Sequence, residues 1–478
     1  MRTDGNMELS CYIAGAKAPR AGVLTVRNPY NGQAVGDVLT VGAAQVGAAI
    51  EAALAWNQPL TRNKRVEILE AARAMLGRRK VEFSRLITSE SGICLRDSEH
   101  EVGRALDVLR FAAAEALHDD GQIFSGDTSS CPKARKSFTF REPLGLAVAV
   151  TPFNHPLNQI VHKVAPAIAA GTPLIVKPSE KTPLTALRFT ELLYDAGLPG
   201  PMLSMLVGPT EEVAARLAKD PRVELLLFTG SMEVGQKLAA SNGYKRLVLE
   251  LGGNDPLIVL EDADLDLAAE LAAEGAFRNS GQRCTAVKRI LVHERVLEDF
   301  TRRLVEKART YTCGDPFDPE TRVGTVIDEA AAIALEKSMR AAVAKGARLL
   351  WGGERRGALL TPAVLDQVPR DADLVNVEAF GPLAPIMPVR DLDDAIALAN
   401  ATSYGLSAGV VTNRMDWATA AIRRLRAGTV NINEIPGYRL ENSPFGGVKA
   451  SGLGIKEGVT EVVKLMSHAK TFSMPWPQ

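Results

Sequence analysis

The sequence predicts an α/β protein built on a parallel, doubly wound sheet. From residue 144 onward, apolar strand-like runs alternate with helical stretches. That alternation is the pattern of a parallel sheet with helices on both faces. The runs are nearly continuous in Val, Ile, Leu and Ala, as in strands buried on both sides. Glycines and charged residues follow the strand ends, where such sheets take ligands.

Residues 8–40 read as short β runs separated by turns at Asn28-Pro29 and Asn31-Gly32. Residues 42–118 read as helical, with apolar positions three and four apart, such as Val66, Ile68, Leu69, Ala72 and Leu76. Residues 119–142 break that pattern. The stretch from Lys133 to Phe140 reads as an exposed polar strand, an arm seeking a partner. Strands follow at 144–152, 173–178, 203–206 and 223–228, with helices between them, including one over 158–170. A second α/β stretch covers 256–445, with strands near 289–292 and 408–411.

At 478 residues the chain has room for two or three domains. Lys+Arg and Asp+Glu both number 56, so no global field draws nucleic acid or a membrane surface. The five cysteines (Cys11, Cys94, Cys131, Cys284 and Cys313) are odd in number and lack metal-ligand spacing. This argues for a reducing compartment, without disulfides or a metal. No leader-like or membrane-length apolar run occurs, so a cytoplasmic protein is expected.

Cys284 follows Arg283, and a neighbouring cation favours the nucleophilic thiolate. Glu250 stands among apolar residues, where a carboxylate is costly without a partner or a task. A thiol nucleophile and a distant acid suggest covalent catalysis with a general base. Alone, the two read equally as a buried structural cysteine and a turn cap. Gly230 and Gly235 open a helix after a strand, a geometry open to a pyrophosphate, although the spacing differs from the usual dinucleotide fingerprint. Lys177 and Glu180 fall at the carboxyl end of another strand. A glutamate there can accept from both ribose hydroxyls and repels a 2′-phosphate, which favours NAD over NADP.

Taken in order, these motifs resemble the aldehyde dehydrogenase superfamily across essentially the whole chain. They comprise Asn154 after an apolar strand, Val-Lys-Pro-Ser-Glu ending at Glu180, and Phe-Thr-Gly-Ser ending at Ser231. Leu-Glu-Leu-Gly-Gly holds Glu250, Gly-Gln-Arg-Cys ends at Cys284, and Glu-Ala-Phe-Gly-Pro holds Glu378 and Phe380. Pro-Phe-Gly-Gly (444–447) then leads to Ser-Gly-Leu-Gly. The resemblance implies a Rossmann-like NAD domain (1–122 and 142–251), an α/β catalytic domain (252–448) and a small β oligomerisation arm (123–141 and 466–478). It also implies a homodimer or homotetramer.

The resemblance makes Cys284 the nucleophile, Asn154 an oxyanion donor, Glu250 the base that activates water and Lys163 a proton-relay residue. It assigns cofactor binding to Thr151, Phe153, Lys177, Ser179, Glu180, Gly208, Gly230, Ser231, Gly235, Leu251, Glu378 and Phe380. One departure is that Lys456 stands where a relay glutamate is often found, with Glu457 next to it.

Arg104, His155, Arg283 and Arg439 are expected to bring cations to an apolar substrate tunnel. Arginine suits the several oxygens of a phosphonate or phosphate. Glu-Val-Gly-Arg-Ala, Phe-Asn-His-Pro and Ser-Gly-Gln-Arg-Cys-Thr are also similar to stretches of phosphonoacetaldehyde dehydrogenases. The expected reaction is NAD-dependent oxidation of a small anionic aldehyde, phosphonoacetaldehyde to phosphonoacetate. The alternatives are phosphonoformaldehyde, sulfoacetaldehyde, lactaldehyde and glyceraldehyde 3-phosphate.

Overall fold

Two seven-stranded sheets dominate the computed structural model, which describes residues 7–476. The first runs in the order Arg246–Glu250, Leu225–Thr229, Ala147–Val150, Leu174–Lys177, Leu203–Met205, Tyr12–Ile13, Ala16–Lys17. Its first five strands are parallel. Ala149 pairs with Leu227 on one side and Val176 on the other. The chain therefore winds outward from Ala147–Val150 in one direction and returns to wind in the other. This creates the topological switch at which doubly wound sheets open a crevice.

These strands are buried throughout their lengths, apart from Val150 and Arg246, which explains their uninterrupted apolar character. The expected helical region forms Ala43–Leu54, Arg62–Arg78, Lys80–Ser91 and Leu95–Glu115. The helix expected at 158–170 is Asn158–Ala170. Glu101, buried on Leu95–Glu115, accepts from the backbone N–H of Leu157 and Asn158. It thus satisfies donors that the start of the following helix leaves free.

The second sheet has the order Arg348–Trp351, Ala363–Asp366, Leu383–Val389, Val287–His293, Asp255–Val259, Ser407–Val411, Thr429–Ile432. Only Arg348–Trp351 runs antiparallel to its neighbour. Apolar clusters cover both faces, one around Phe277 and Phe300 and the other around Leu365 and Met387.

A third, antiparallel sheet joins Ser467–Pro475, Arg135–Pro143 and Ile123–Ser125. Phe138 stacks on Phe472 at 5.2 Å between ring centroids. Residues 449–465, outside every expected range, pack Val459 and Val462 into the core of the first sheet. The ends of the expected ranges, 1–6 and 477–478, lie outside the described residues. Among the described residues no helix is long and apolar enough to cross a membrane.

Candidate active site

The predicted site residues converge where the two large sheets face each other. Lys177, Thr229 and Glu250 are the last residues of parallel strands in the first sheet, and Thr151–Asn154 follow another. Cys284 and Glu378 lie just before Val287–His293 and Leu383–Val389 of the second. The carboxyl ends of one sheet thus meet the amino ends of the other.

The turn bearing Cys284 is left-handed at three consecutive residues: Asn279 (φ 56°), Ser280 (φ 52°) and Gly281 (φ 68°). Non-glycine residues adopt this conformation only where the surroundings impose it. Asp97 accepts from the Asn279 backbone N–H at 2.7 Å. The Asn279 side chain donates to the Asn154 carbonyl at 3.1 Å. The Asn154 amide donates to the Gln282 carbonyl at 2.9 Å. Asn154 is thereby tied to the turn, and its amide nitrogen carries a second N–H.

Burial pushes the Cys284 thiol up to about 12, with the Glu250 charge adding to the effect. Lys288 and Arg439 are the main cations that oppose this, and Arg283 and Arg104 also interact with the Cys284 charge, so Arg283 is one of several cations around the sulfur. Arg283 turns away to donate to the carbonyls of Glu274 and Gly275 at 3.0 and 2.7 Å, near the end of helix Leu265–Phe277. A helix end attracts a cation in this way.

Glu250 is buried, and among the described residues neither carboxylate oxygen has a hydrogen-bond partner. Burial and then the Glu457 charge push it up to about 8, against Arg439 and Lys163. Lys163 is fully buried and lies 2.5 Å from Glu457. Lys456 instead donates to the carbonyls of Gly428 and Gly446. The glutamate shifted by one place in sequence is thus the one facing the lysine.

On the nucleotide side, Lys177 donates to Glu180 at 2.8 Å, with the Glu180 side chain 38% exposed. Ser231 caps Met232–Ser241, and Gly235 packs so closely on Leu251 that a Cβ there would come within 2.4 Å of it. A Cβ on Gly208 would meet the Val41 carbonyl at 2.2 Å, which ties that glycine to backbone packing. Thr151 bonds to the Lys177 carbonyl, and Ser179 accepts from the Lys181 N–H. Phe153 and Phe380 meet edge to face at 5.9 Å. The set fits a dinucleotide: a partly exposed carboxylate at a strand end can take ribose hydroxyls beside a capped helix start.

Glu378 has neighbours that the motifs did not reveal. Buried Lys288 donates to it and to the carbonyls of Gly253 (2.9 Å) and Cys284 (3.2 Å). Glu378 also accepts from the Gly253 N–H at 3.2 Å.

A cavity of about 420 Å³ leads toward the site, lined in part by Arg104, His155, Arg283 and Arg439. The expectation of an apolar tunnel is corrected, because carboxylates line it too, among them Glu101, Glu274 and Glu441. Arg104 pairs with Glu441 at 2.5 Å, and His162 lies 2.6 Å from the same carboxylate. Burial alone would raise Glu441, but Arg104 and His162 hold it well below the usual carboxylate range. His155 Nδ1 is 3.5 Å from Glu101, and burial lowers the affinity of its imidazole for a proton. Among the described residues, Arg439 makes no ion pair within 4 Å; its guanidinium stacks 3.8 Å from the Phe445 ring centroid.

A nucleotide-type sheet facing a half-buried thiol and a buried carboxylate fits a cysteine-dependent oxidoreductase. Comparison with known proteins gives the family. The chain belongs to the aldehyde dehydrogenase family, whose model matches residues 17–472, and it is a dehydrogenase acting on aldehydes. It is 38% identical over 450 residues to aspartate-semialdehyde dehydrogenase 1 of Pseudomonas canavaninivorans, covering 94% of this chain and 95% of that protein. It is 36% identical to lactaldehyde dehydrogenase of Methanococcus vannielii (94% and 96% covered) and 35% to 3-sulfolactaldehyde dehydrogenase of Priestia megaterium (96% and 96%).

The aldehyde dehydrogenase fold is shared with solved structures. One is an NAD-dependent aldehyde dehydrogenase from Sinorhizobium meliloti (TM-score 0.93, 32% identity, 99% and 96% covered). Another is an NADP-dependent glyceraldehyde-3-phosphate dehydrogenase from Bacillus halodurans (0.94, 32%, 99% and 100%). The family thus uses NAD or NADP.

Proposed function

We propose that the protein oxidises a small anionic aldehyde with NAD, and that this aldehyde is phosphonoacetaldehyde, giving phosphonoacetate. The observation that carries the anionic part is the tunnel: Arg439 lines it with no ion pair within 4 Å among the described residues, and Arg104 and His155, which have carboxylate partners, line it too. A phosphonate has three oxygens, enough to engage Arg439 while competing with Glu441 for Arg104. The relative named for 3-sulfolactaldehyde, an anion, agrees with this charge, and the one named for aspartate semialdehyde, a zwitterion, shares a carboxylate. The relative named for lactaldehyde, a neutral molecule, keeps that substrate as the competitor.

In the proposed mechanism, Cys284 gives its proton to the Glu250 carboxylate and its sulfur attacks the aldehyde carbon. The free N–H of the Asn154 amide and the Cys284 backbone N–H receive the oxyanion. Glu180, Glu378 and Phe380 would hold a nicotinamide dinucleotide, which would supply the hydride acceptor, and the acyl group is left on Cys284 as a thioester. Freed of the thiol proton, Glu250 then takes a proton from water, whose oxygen attacks the thioester carbon and releases the carboxylate product and the Cys284 thiol. Lys163 and Glu457 carry that proton away. Glu180 takes the adenosine ribose and favours NAD, while Glu378 takes the nicotinamide ribose.

The first large sheet and its helices form the dinucleotide domain, and the second forms the catalytic domain. The arm of 123–141 and 466–478 joins copies into a homodimer or homotetramer. Phe124, Phe472 and Trp476 are exposed on that arm.

The test is NADH formation with phosphonoacetaldehyde against 3-sulfolactaldehyde, sulfoacetaldehyde, lactaldehyde, aspartate semialdehyde and glyceraldehyde 3-phosphate, with NAD and with NADP. The proposal predicts the highest kcat/KM for phosphonoacetaldehyde with NAD. In Arg439→Ala this value falls by about a hundredfold or more, the scale of a lost charge-assisted contact. Equal kcat/KM for lactaldehyde would overturn the substrate assignment.

A further inference from the structure

Lys288 is 2% exposed, and each of its three hydrogen bonds goes to a different part of the site, while its ammonium lies 5.1 Å from the Phe380 ring centroid. The Gly253 carbonyl at 2.9 Å belongs to the loop that follows Glu250. The Cys284 carbonyl at 3.2 Å belongs to the nucleophile turn. The third acceptor is Glu378. An ammonium has three N–H donors, so all of them are used. The spacing leaves no slack: a Cβ on Gly253 would come within 2.3 Å of the Cys284 carbonyl, and one on Gly252 within 2.1 Å of Glu378.

We propose that Lys288 is a positioning residue that binds the general-base loop, the nucleophile turn and Glu378 into one unit, and that its charge, shared with Glu378 in the free enzyme, sets the reactivity of the Cys284 thiol. This rests on the reading of Cys284 as the nucleophile. The charged groups facing Cys284 are Glu250 and Glu378, which disfavour the thiolate, and Lys288, Arg439, Arg104 and Arg283, which favour it. Arg283 adjoins it in the chain.

The test is the rate of iodoacetamide alkylation at Cys284 in the cofactor-free enzyme between pH 6 and pH 10. It is read by peptide mass spectrometry, because Cys131 is exposed and Cys313 partly so. Lys288→Met should slow alkylation at pH 8 by about tenfold or more, corresponding to a profile moved up by about one pH unit. Lys288→Arg should recover part of the loss. Glu378→Gln should speed alkylation by about threefold or more, as the opposing charge is removed. A Lys288→Met profile that superimposes on wild type, or a Glu378→Gln rate at or below wild type, would overturn the proposal. If Lys288→Met fails to fold, Glu378→Gln decides alone. Cys284→Ser is assayed for NADH formation alongside. Loss of turnover there keeps the nucleophile reading even if the Lys288 proposal fails, and retained turnover removes that reading while the alkylation rates still judge Lys288.

Discussion

Glu250 combines two costs that a structural carboxylate avoids: it is buried, and among the described residues both its oxygens lack hydrogen-bond partners. Burial disfavours the charged form, so the group becomes a base only as pH rises toward about 8. The predicted kcat profile therefore climbs through that region, provided thioester hydrolysis limits turnover, and a steady-state pH series checks it. The same shift has a stability consequence. The folded carboxyl holds its proton more tightly than the unfolded one, so stability falls as pH rises from the ordinary carboxylate range to about 8. Glu250→Gln should remove that loss and raise Tm at pH 8 by roughly 1–4 °C, measurable by calorimetry. Asn154→Ala should lower kcat by about 10²–10³ with KM little changed, as expected for a donor used mainly in the transition state.

Residue identities at this scale were legible because each lies in a short local motif. Their partners were not. Arg104 and Glu441 are 337 positions apart, and Lys288 reaches Glu378 across 90. Such pairs leave no spacing in the sequence. The lysine four residues after Cys284 was in view, but nothing local indicated that it would be buried against three acceptors.

At the level of elements, the strand and helix alternation was readable because burial on both faces forces long apolar runs. The nucleophile turn was not. Three left-handed residues follow from Asp97 and Asn154 gripping Asn279, contacts made only when distant segments assemble. Gly281 tests this turn. Its φ is 68°, and an added Cβ would meet the Gly381 carbonyl at 2.1 Å. Gly281→Ala should displace Cys284, lowering kcat at least tenfold and Tm by several degrees, as read by turnover and thermal unfolding; backbone strain of about 1–3 kcal/mol is the scale.

For the whole molecule, the two large sheets divide the labour by their ends. One presents its strand carboxyl ends, with Lys177 and Glu250, and the other presents the segments before its strands, with Cys284 and Glu378. The arm extends from this arrangement with exposed aromatic rings. Phe472→Asp should separate the proposed assembly into monomers in light scattering after gel filtration. An unchanged mass would remove the arm from the interface.

The central claim, that Cys284 forms a thioester with an anionic aldehyde and Glu250 releases it, is tested most directly by trapping. Glu250→Gln would be mixed with NAD and phosphonoacetaldehyde, and the Cys284 peptide weighed by mass spectrometry. The account predicts one NADH per site in a burst, then a stall, with a phosphonoacetyl group on Cys284. A burst without that adduct, or an adduct formed equally readily from lactaldehyde, would contradict it.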